Sequence, residues 1–369
     1  MSFSATDHAM MARALRLAER GAYTTRPNPM VGCVLAHGDE IVGEGWHRLA
    51  GEPHAEILAL QDAGDRAKGA TAYVTLEPCA HTGKTGPCAD ALIAAGVWRV
   101  VAAMRDPFPE VDGEGFARLA AAGIGVESGL MEAQARALNR GWLSLLERGR
   151  PWVRVKLATS IDGRTALASG DSKWISCEAS RLDGHRWRAR AGAIITGAGT
   201  VLADDPSLTV RLGDDTPFVA PLRVVLDPGL ATIARGRVRE GAAPALYLHA
   251  ADVKPPRDLG MQPSVELGVV PVRAGLIDLA AVLRRLAERG INEVQVEAGA
   301  TLAGGFLAAG LVDEILLYIA PVLLGERAKP LFDGLRIDAM AQKLNLTIVE
   351  SRAIGTDMRL LLRPAAPSA

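Results

Sequence analysis

Apolar positions near the N-terminus fall at Met11, Ala14, Leu15 and Ala18, a spacing that places them on one face of a helix. Thr6 can cap that helix and Gly21 can end it. Two strand-like runs follow, MVGCVLA and EIVGEGW, joined by a turn at His37–Gly38–Asp39. A helical pattern then runs from about His54 to Ala63, and the strand-like TAYVTL occupies 71–76. A loop of Pro, Cys, Gly and Thr leads into a helix at CADALIAAG, a strand at RVVAAM and a helix at EGFARLAAAG. Strands alternating with helices predict a layered α/β domain.

Residues 131–150 read as a helical connector ending in the basic RGRP, and Pro151 marks a break. A second β-rich opening follows, WVRVKLATSIDGR. The alternation then resumes with a helix near 176–190 and strands at AGAIITG, RVVLDP and ALYLHA. The helix IDLAAVLRRLAERG leads to a strand at EVQVEAG, a helix at GATLAGGFLAAG and a strand at DEILLYIAPVLLG. LNLTIVE and MRLLLRP supply the closing strands. The expectation is two α/β domains of unequal size, 1–148 and 149–369, with no repeat between them.

Length agrees: 369 residues exceed the roughly 150 of one ordinary domain. Apolar residues at 49% and charged ones at 22% describe a globular chain. Its 41 basic and 42 acidic side chains leave a net charge of −1, which argues against a long nucleic acid but permits a compact anion site. Asp7, His8, Arg13 and Arg16 interrupt any secretory signal, and Pro321 breaks the apolar run from Ile315. Four cysteines are too few for a disulfide framework, so a reducing, cytoplasmic setting and no membrane are expected.

Candidate chemistry begins in GEPHAEI. His54 and Glu56 are two residues apart at a helix start, where they can approach one object from different angles. Cys79 lies in the loop after TAYVTL, and Cys88 opens the next helix with eight residues between them. One His and two Cys leave a zinc position open for water, which the metal acidifies toward neutral pH. Glu56 would sit beside that water as a proton carrier. H-x-E followed by P-C is the zinc-deaminase pattern, although the second cysteine comes later than in P-C-x-x-C. A structural zinc would want a fourth ligand, which His81 could provide. Cys33 reads as core and Cys177 as a non-ligand.

TRPNPMVGCV, GEGWHRLAGEPHAE and YVTLEPCAHTGKTGPCADAL resemble the N-terminal half of the bifunctional riboflavin-biosynthesis deaminase/reductase family. The similarity continues into the second half and covers nearly the whole chain. It implies a cytidine-deaminase-like α/β/α domain with His54, Cys79 and Cys88 on Zn²⁺ and Glu56 as the shuttle. The pocket would be lined by Asn28, His47 and the 81–87 loop, with His47 and Lys84 near the substrate's ribose phosphate. Asn28 can offer a pyrimidine edge both a donor and an acceptor, and inside PNP it reads equally as a turn residue.

In the second domain, Gly197–Ala198–Gly199–Thr200 and Gly299–Ala300–Thr301 each follow a strand and could bring N–H groups to a phosphate. Neither is the GxGxxG fingerprint, and Asp204–Asp205 reads first as a solvated turn. These pieces resemble the reductase half of the same family, which implies a dihydrofolate-reductase-like α/β fold using NADPH. The resemblance carries cofactor contacts to Ala158, Trp174, Thr200 and Asp204, and to Gly299, Ala300, Thr301, Leu302, Ala303, Gly304 and Gly305. Substrate contacts fall on Ser172, Arg188, Leu208, Arg211 and Glu297, with the two arginines suited to a sugar phosphate. No acid stands out as the proton donor: Asp204 and solvent are both candidates.

The resulting expectation is a two-step enzyme. It removes an exocyclic amine from a diaminopyrimidine bearing phosphoribosylamine, then reduces the ribosyl group to ribityl with NADPH. A homo-oligomer acting on a small molecule is expected. A polynucleotide base deaminase would want stacking aromatics, and these are only 4% here. A zinc-stabilised scaffold would show four closed ligands and bind no cofactor, and a deaminase with an inert second domain stays open because the cofactor motifs are individually weak.

Overall fold

The first helix, α1 (Ala5–Ala18), begins before Thr6 rather than after it. Ser4 caps it: its hydroxyl accepts the Asp7 N–H, and the Asp7 carboxylate accepts the Ser4 N–H, a capping box. Thr6 instead lies inside the helix and donates to Asp39. The computed structural model describes residues 3–80, 86–108, 112–256 and 264–365, which divide into two compact units, Met1–Gly149 and Arg150–Ala369.

After α1, the first unit continues through β1 (Gly32–His37), β2 (Glu40–Trp46), α2 (Ala55–Ala63), β3 (Thr71–Val74), α3 (Cys88–Ala94) and β4 (Arg99–Ala102). It closes with α4 (Glu114–Ala121), β5 (Gly125–Ser128), α5 (Glu132–Leu138) and α6 (Arg140–Arg148). The strand order is β2-β1-β3-β4-β5, antiparallel at β1 and parallel from β3 onward. The sheet is covered on both faces. Met11, Ala14 and Leu15 of α1 join Leu138 and Leu143 in one core, while Ala59, Leu92 and Leu119 of α2, α3 and α4 join the other. The strand β5, formed by GVES, is absent from the sequence pattern because it carries almost no apolar signal.

Two glycines set where α2 lies. A Cβ on Gly43 would fall 2.3 Å from the Ala59 carbonyl oxygen, and one on Gly45 would fall 2.2 Å from that of Ala55. The VGEG of β2 therefore lets α2 rest directly on strand backbone, which fixes its first turn at His54 and Glu56.

The second unit runs through β6 (Trp152–Ser160), β7 (Arg164–Ala166), α7 (Glu178–Arg190), β8 (Ala193–Gly197), α8 (Ala198–Asp204), β9 (Leu222–Leu226), β10 (Ala245–His249) and β11 (Val265–Val269). It continues through β12 (Val272–Arg273), β13 (Leu276–Ile277), α9 (Leu279–Ala287), β14 (Glu293–Val296), α10 (Ala300–Ala308) and β15 (Glu314–Ala320), then β16 (Lys329–Pro330), β17 (Leu346–Ile354) and β18 (Asp357–Pro364). Nine strands form one sheet in the order β11-β10-β9-β8-β14-β6-β15-β18-β17, with every pairing parallel except β15–β18 and β18–β17. Val282, Leu286 and Phe306 of α9 and α10 pack on one face, and Trp187 and Val201 of α7 and α8 on the other. Gly197–Thr200, expected as a turn, is the N-cap and first turn of α8. Among the described residues no helix is long and apolar enough to cross a membrane.

Candidate active sites

In the first unit, His54 is the N-cap of α2, Cys79 follows β3, and Cys88 is the first residue of α3. Their ligand atoms all lie within 4.8 Å of one another. His54 Nδ1 stands 3.6 Å from Cys79 Sγ and 3.3 Å from Cys88 Sγ. A tetrahedral zinc with ordinary Zn–N and Zn–S bonds would hold N and S about 3.5 Å apart, so the donor set fits that metal. The Cys88 N–H donates to Cys79 Sγ at 3.3 Å, a bond that favours a thiolate. The two sulfurs compete for a proton. The hydrogen bond from Cys88 holds Cys79 down to about 4, while the bond to Cys79 and burial push Cys88 up.

Glu56, in the first turn of α2, is 3% exposed. Burial, reinforced by the Cys79 charge, pushes its carboxyl up to about 7. His47 is buried edge-to-face against His54, with ring centroids 5.5 Å apart. Its Nδ1 donates to the Pro53 carbonyl (3.3 Å), so Nε2 accepts from Asn28 Nδ2 (3.2 Å). Burial lowers the His47 pKa, which favours that neutral tautomer. His81 and Lys84 lie outside the described residues.

The second unit holds a cleft of about 1700 Å³. Glu297, just past β14, meets Arg188 of α7 in a bidentate pair, with Nε–Oε1 and Nη2–Oε2 both 2.7 Å. Gln295 Nε2 donates to the same carboxylate at 2.8 Å, and Arg188 Nη1 donates to the Thr209 carbonyl at 2.9 Å. Burial works to raise the Glu297 carboxyl, but the Arg188 charge and hydrogen bonds and the Lys156 charge hold it down at about 2. Lys156, on β6, also faces this cleft, with its ammonium 5.6 Å from the centroid of the Tyr318 ring. Burial lowers the Lys156 pKa, and the Glu297 charge opposes it. His185, one turn before Arg188, is lowered to about 4 by burial and by the Arg188 and Arg211 charges.

Family models match both units. Residues 151–360 match the "RibD C-terminal domain", and residues 4–104 match the "Cytidine and deoxycytidylate deaminase zinc-binding region". The chain is 47% identical to riboflavin biosynthesis protein RibD of Escherichia coli (strain K12), across 96% of this chain and 99% of that protein. The chain belongs to the RibD family. Against the RibD of Haemophilus influenzae it is 44% identical, with 99% of both chains covered. RibD of Acinetobacter baumannii superposes with a TM-score of 0.89 at 43% identity, over 98% of this chain and 99% of that one. A Thermotoga maritima structure described as a diaminohydroxyphosphoribosylaminopyrimidine deaminase and 5-amino-6-(5-phosphoribosylamino)uracil reductase gives 0.87 at 32%, with 98% and 99% covered. As a RibD family member the chain is a bifunctional enzyme of riboflavin biosynthesis, a zinc-dependent deaminase joined to an NADPH-dependent reductase.

Most residues that the resemblance assigned to the RibD reductase half converge on the cleft. Ala158, Ser172, Trp174, Arg188, Thr200, Asp204, Leu208, Arg211 and Glu297 line it, as do Gly299, Ala300, Thr301, Leu302 and Gly305. Ala303 and Gly304 do not. Ala303 is fully buried in the core, and a Cβ on Gly304 would fall 1.9 Å from the Asp333 carbonyl oxygen. A helix cannot turn seven consecutive residues toward one cleft, so the assigned stretch splits by face. Within the cleft, Nε and Nη2 of Arg188 are engaged by Glu297. Arg211 has capacity to spare: among the described residues its guanidinium bonds side chains through Nη1, to the hydroxyls of Ser207 and Thr209.

Lys156 and His185 also line the cleft, although the sequence pattern alone does not single them out. A signal for Lys156 is present in WVRVKLATS, where Val153, Val155 and Leu157 enter one core and Arg154 and Lys156 point to the opposite face of a central strand. A cation inside such a strand has to be paired or functional. His185 gives a weaker signal: Arg188 lies one turn on in the same helix, but Arg211 reaches it only through the fold.

Proposed function

We propose that the first unit deaminates a phosphoribosylated diaminopyrimidine through His54, Cys79, Cys88 and Glu56, and that the second reduces its ribosyl group through Lys156, Glu297 and Arg211. The observation that carries the first half is the His/Cys/Cys set with a buried carboxyl beside it. Zn²⁺ held by those three residues supplies an activated water at neutral pH. Glu56, buried in the first turn of the helix that His54 caps, is suited to take a proton from the attacking water and deliver it to the departing amine. His47 holds the Asn28 amide by its Nδ2, leaving Oδ1 to accept from the pyrimidine edge.

In the second unit NADPH, held by the cleft residues around Thr200 and Gly299–Thr301, would supply a hydride to the anomeric carbon of the sugar. The ring oxygen leaves that carbon and needs a proton to become a ribityl hydroxyl. Lys156 is better suited to supply it than Asp204, because it is a half-buried cation with a lowered pKa facing the cleft near Glu297. Glu297 accepts from Arg188 twice and from Gln295 once, which leaves room for about one sugar hydroxyl. Arg211 is free to hold the phosphate, and Arg188 keeps Glu297 charged and aimed.

Cofactor binding is assigned to the cleft-lining members of the sequence set, with Ala303 and Gly304 left out. A homo-oligomer is part of the same reading, because β17 is an edge strand with Leu346, Ile348 and Val349 exposed. Light scattering that returned the mass of one chain would refute it. A cytoplasmic enzyme without nucleic-acid partners fits four unpaired cysteines and a net charge of −1, and recovery of the protein outside the cytoplasm would count against this.

The test is turnover of the diaminopyrimidine ribose phosphate with ammonia and NADPH followed separately. Ammonia should appear without NADPH, and NADPH should be consumed only after deamination. NADPH oxidation with no ammonia would refute the order and the first-unit assignment.

A further inference from the structure

Glu77 stands two residues before Cys79, is 3% exposed, and takes part in none of the steps above. Its carboxylate accepts four backbone N–H groups. Asp106 (3.2 Å) and Gly113 (3.1 Å) donate to Oε2, and Gly115 (3.0 Å) and Phe116 (3.3 Å) donate to Oε1. The last three belong to the N-terminus of α4, where helical N–H groups have no partner within the helix. The contact is close. A Cβ on Gly115 would fall 1.9 Å from the Pro78 carbonyl oxygen, so α4 bears directly on the Glu77–Pro78–Cys79 backbone. On its other side, Arg118 of α4 donates to both carboxylate oxygens of Asp90 at 3.1 and 3.0 Å. Asp90 lies two residues beyond Cys88 on α3.

One helix thus holds both segments that carry the sulfur ligands. The match to the zinc-binding region ends at residue 104, so α4 lies beyond it. We propose that Glu77 is a positioning residue for the metal centre: through α4 it sets the placement of Cys79 relative to Cys88 and thereby the affinity for metal. The proposal rests on the zinc reading of His54, Cys79 and Cys88. Partners outside the ligand set hold ligands in the orientation the metal needs, and losing one typically weakens binding by about tenfold to a hundredfold. If Glu77 served only to anchor α4, its loss would lower thermal stability without changing how tightly the folded protein holds its metal.

The experiment uses the full chain with Glu77→Gln, which keeps the shape but turns an amide group toward backbone donors. Two readouts are taken: the Zn²⁺ dissociation constant, by competition with a chromophoric chelator, and the visible absorption of the Co²⁺-substituted protein. The dissociation constant should rise by about tenfold to a hundredfold and the Co²⁺ bands should shift, while the reductase rate stays at wild type. Unchanged affinity and an unchanged spectrum would overturn the proposal, even alongside a lowered melting temperature. If Glu77→Gln does not fold, Glu77→Asp, which keeps the charge on a shorter arm, is measured in the same two ways. A weaker, spectrally shifted site in that variant supports the proposal, and an unchanged one overturns it. A wild-type chain that holds no zinc would instead refute the metal centre itself.

Discussion

Replacing Glu297 by Gln removes one charge and almost no volume from the reductase cleft, so its cost can be read from the contacts. Two 2.7 Å bonds to Arg188 and one of 2.8 Å to Gln295 end on this carboxylate. The side chains of Arg188 and Glu297 are 17% and 12% exposed, so the guanidinium left behind is poorly solvated. Breaking a buried pair from one side costs about 3–5 kcal/mol, and the residual exposure favours the lower end. For a domain of this size, each kcal/mol moves the midpoint by about 2–4 °C, so the reductase transition should fall by about 6–12 °C. Losing a charged acceptor to the sugar costs a further 1.5–3 kcal/mol or so, which slows reduction about tenfold to a hundredfold. Melting, ammonia release and NADPH oxidation should be measured on one preparation, with Arg188→Met/Glu297→Gln as the control. The double variant should recover part of the lost stability, because it no longer buries an unpaired guanidinium. Wild-type NADPH oxidation in a folded Glu297→Gln protein would refute the reasoning.

Three further outcomes are expected. Glu56→Gln should keep its zinc while ammonia release falls by about a hundredfold or more, and joint loss of metal and activity would make Glu56 structural. Lys156→Met should slow NADPH oxidation by about a hundredfold without raising the KM for NADPH, and a variant at wild-type rate would remove Lys156 as the proton source. Acid should destabilise the second unit in two windows. His185 resists protonation down to about 4 while an unfolded histidine takes a proton near 6.5, so stability falls as pH drops from about 6.5 to 4. Glu297, at about 2 against an ordinary 4.5, extends the loss below 4.5, and a melting temperature flat from pH 7 to pH 3 would contradict both.

The candidate zinc set was legible because its chemistry is local: His54 and Glu56 share one helix start, Cys88 opens another, and Cys79 lies in the loop between β3 and that helix. The alternation of strands and helices gave the layered fold for the same reason, with boundaries off where caps decide them, as at Ser4 and Thr6. What the sequence hid was pairing at long range. Arg188 and Glu297 are 109 positions apart, and Glu77 meets α4 from 36 to 39 positions away. Nothing in a one-dimensional pattern marks which arginine will be consumed by a carboxylate, so Arg188 looked like a phosphate ligand. Residues 299–305 were assigned to the cofactor as one block, although only part of the helix they open can face the cleft.

The central claim is that one chain holds two chemically separate sites. The direct measurement is zinc content, ammonia release and NADPH oxidation in Cys79→Ala/Cys88→Ala, with deaminated intermediate supplied for the reductase assay. Zinc and ammonia release should be lost while NADPH oxidation stays at the wild-type rate. Full zinc occupancy with normal ammonia release in that variant would contradict it.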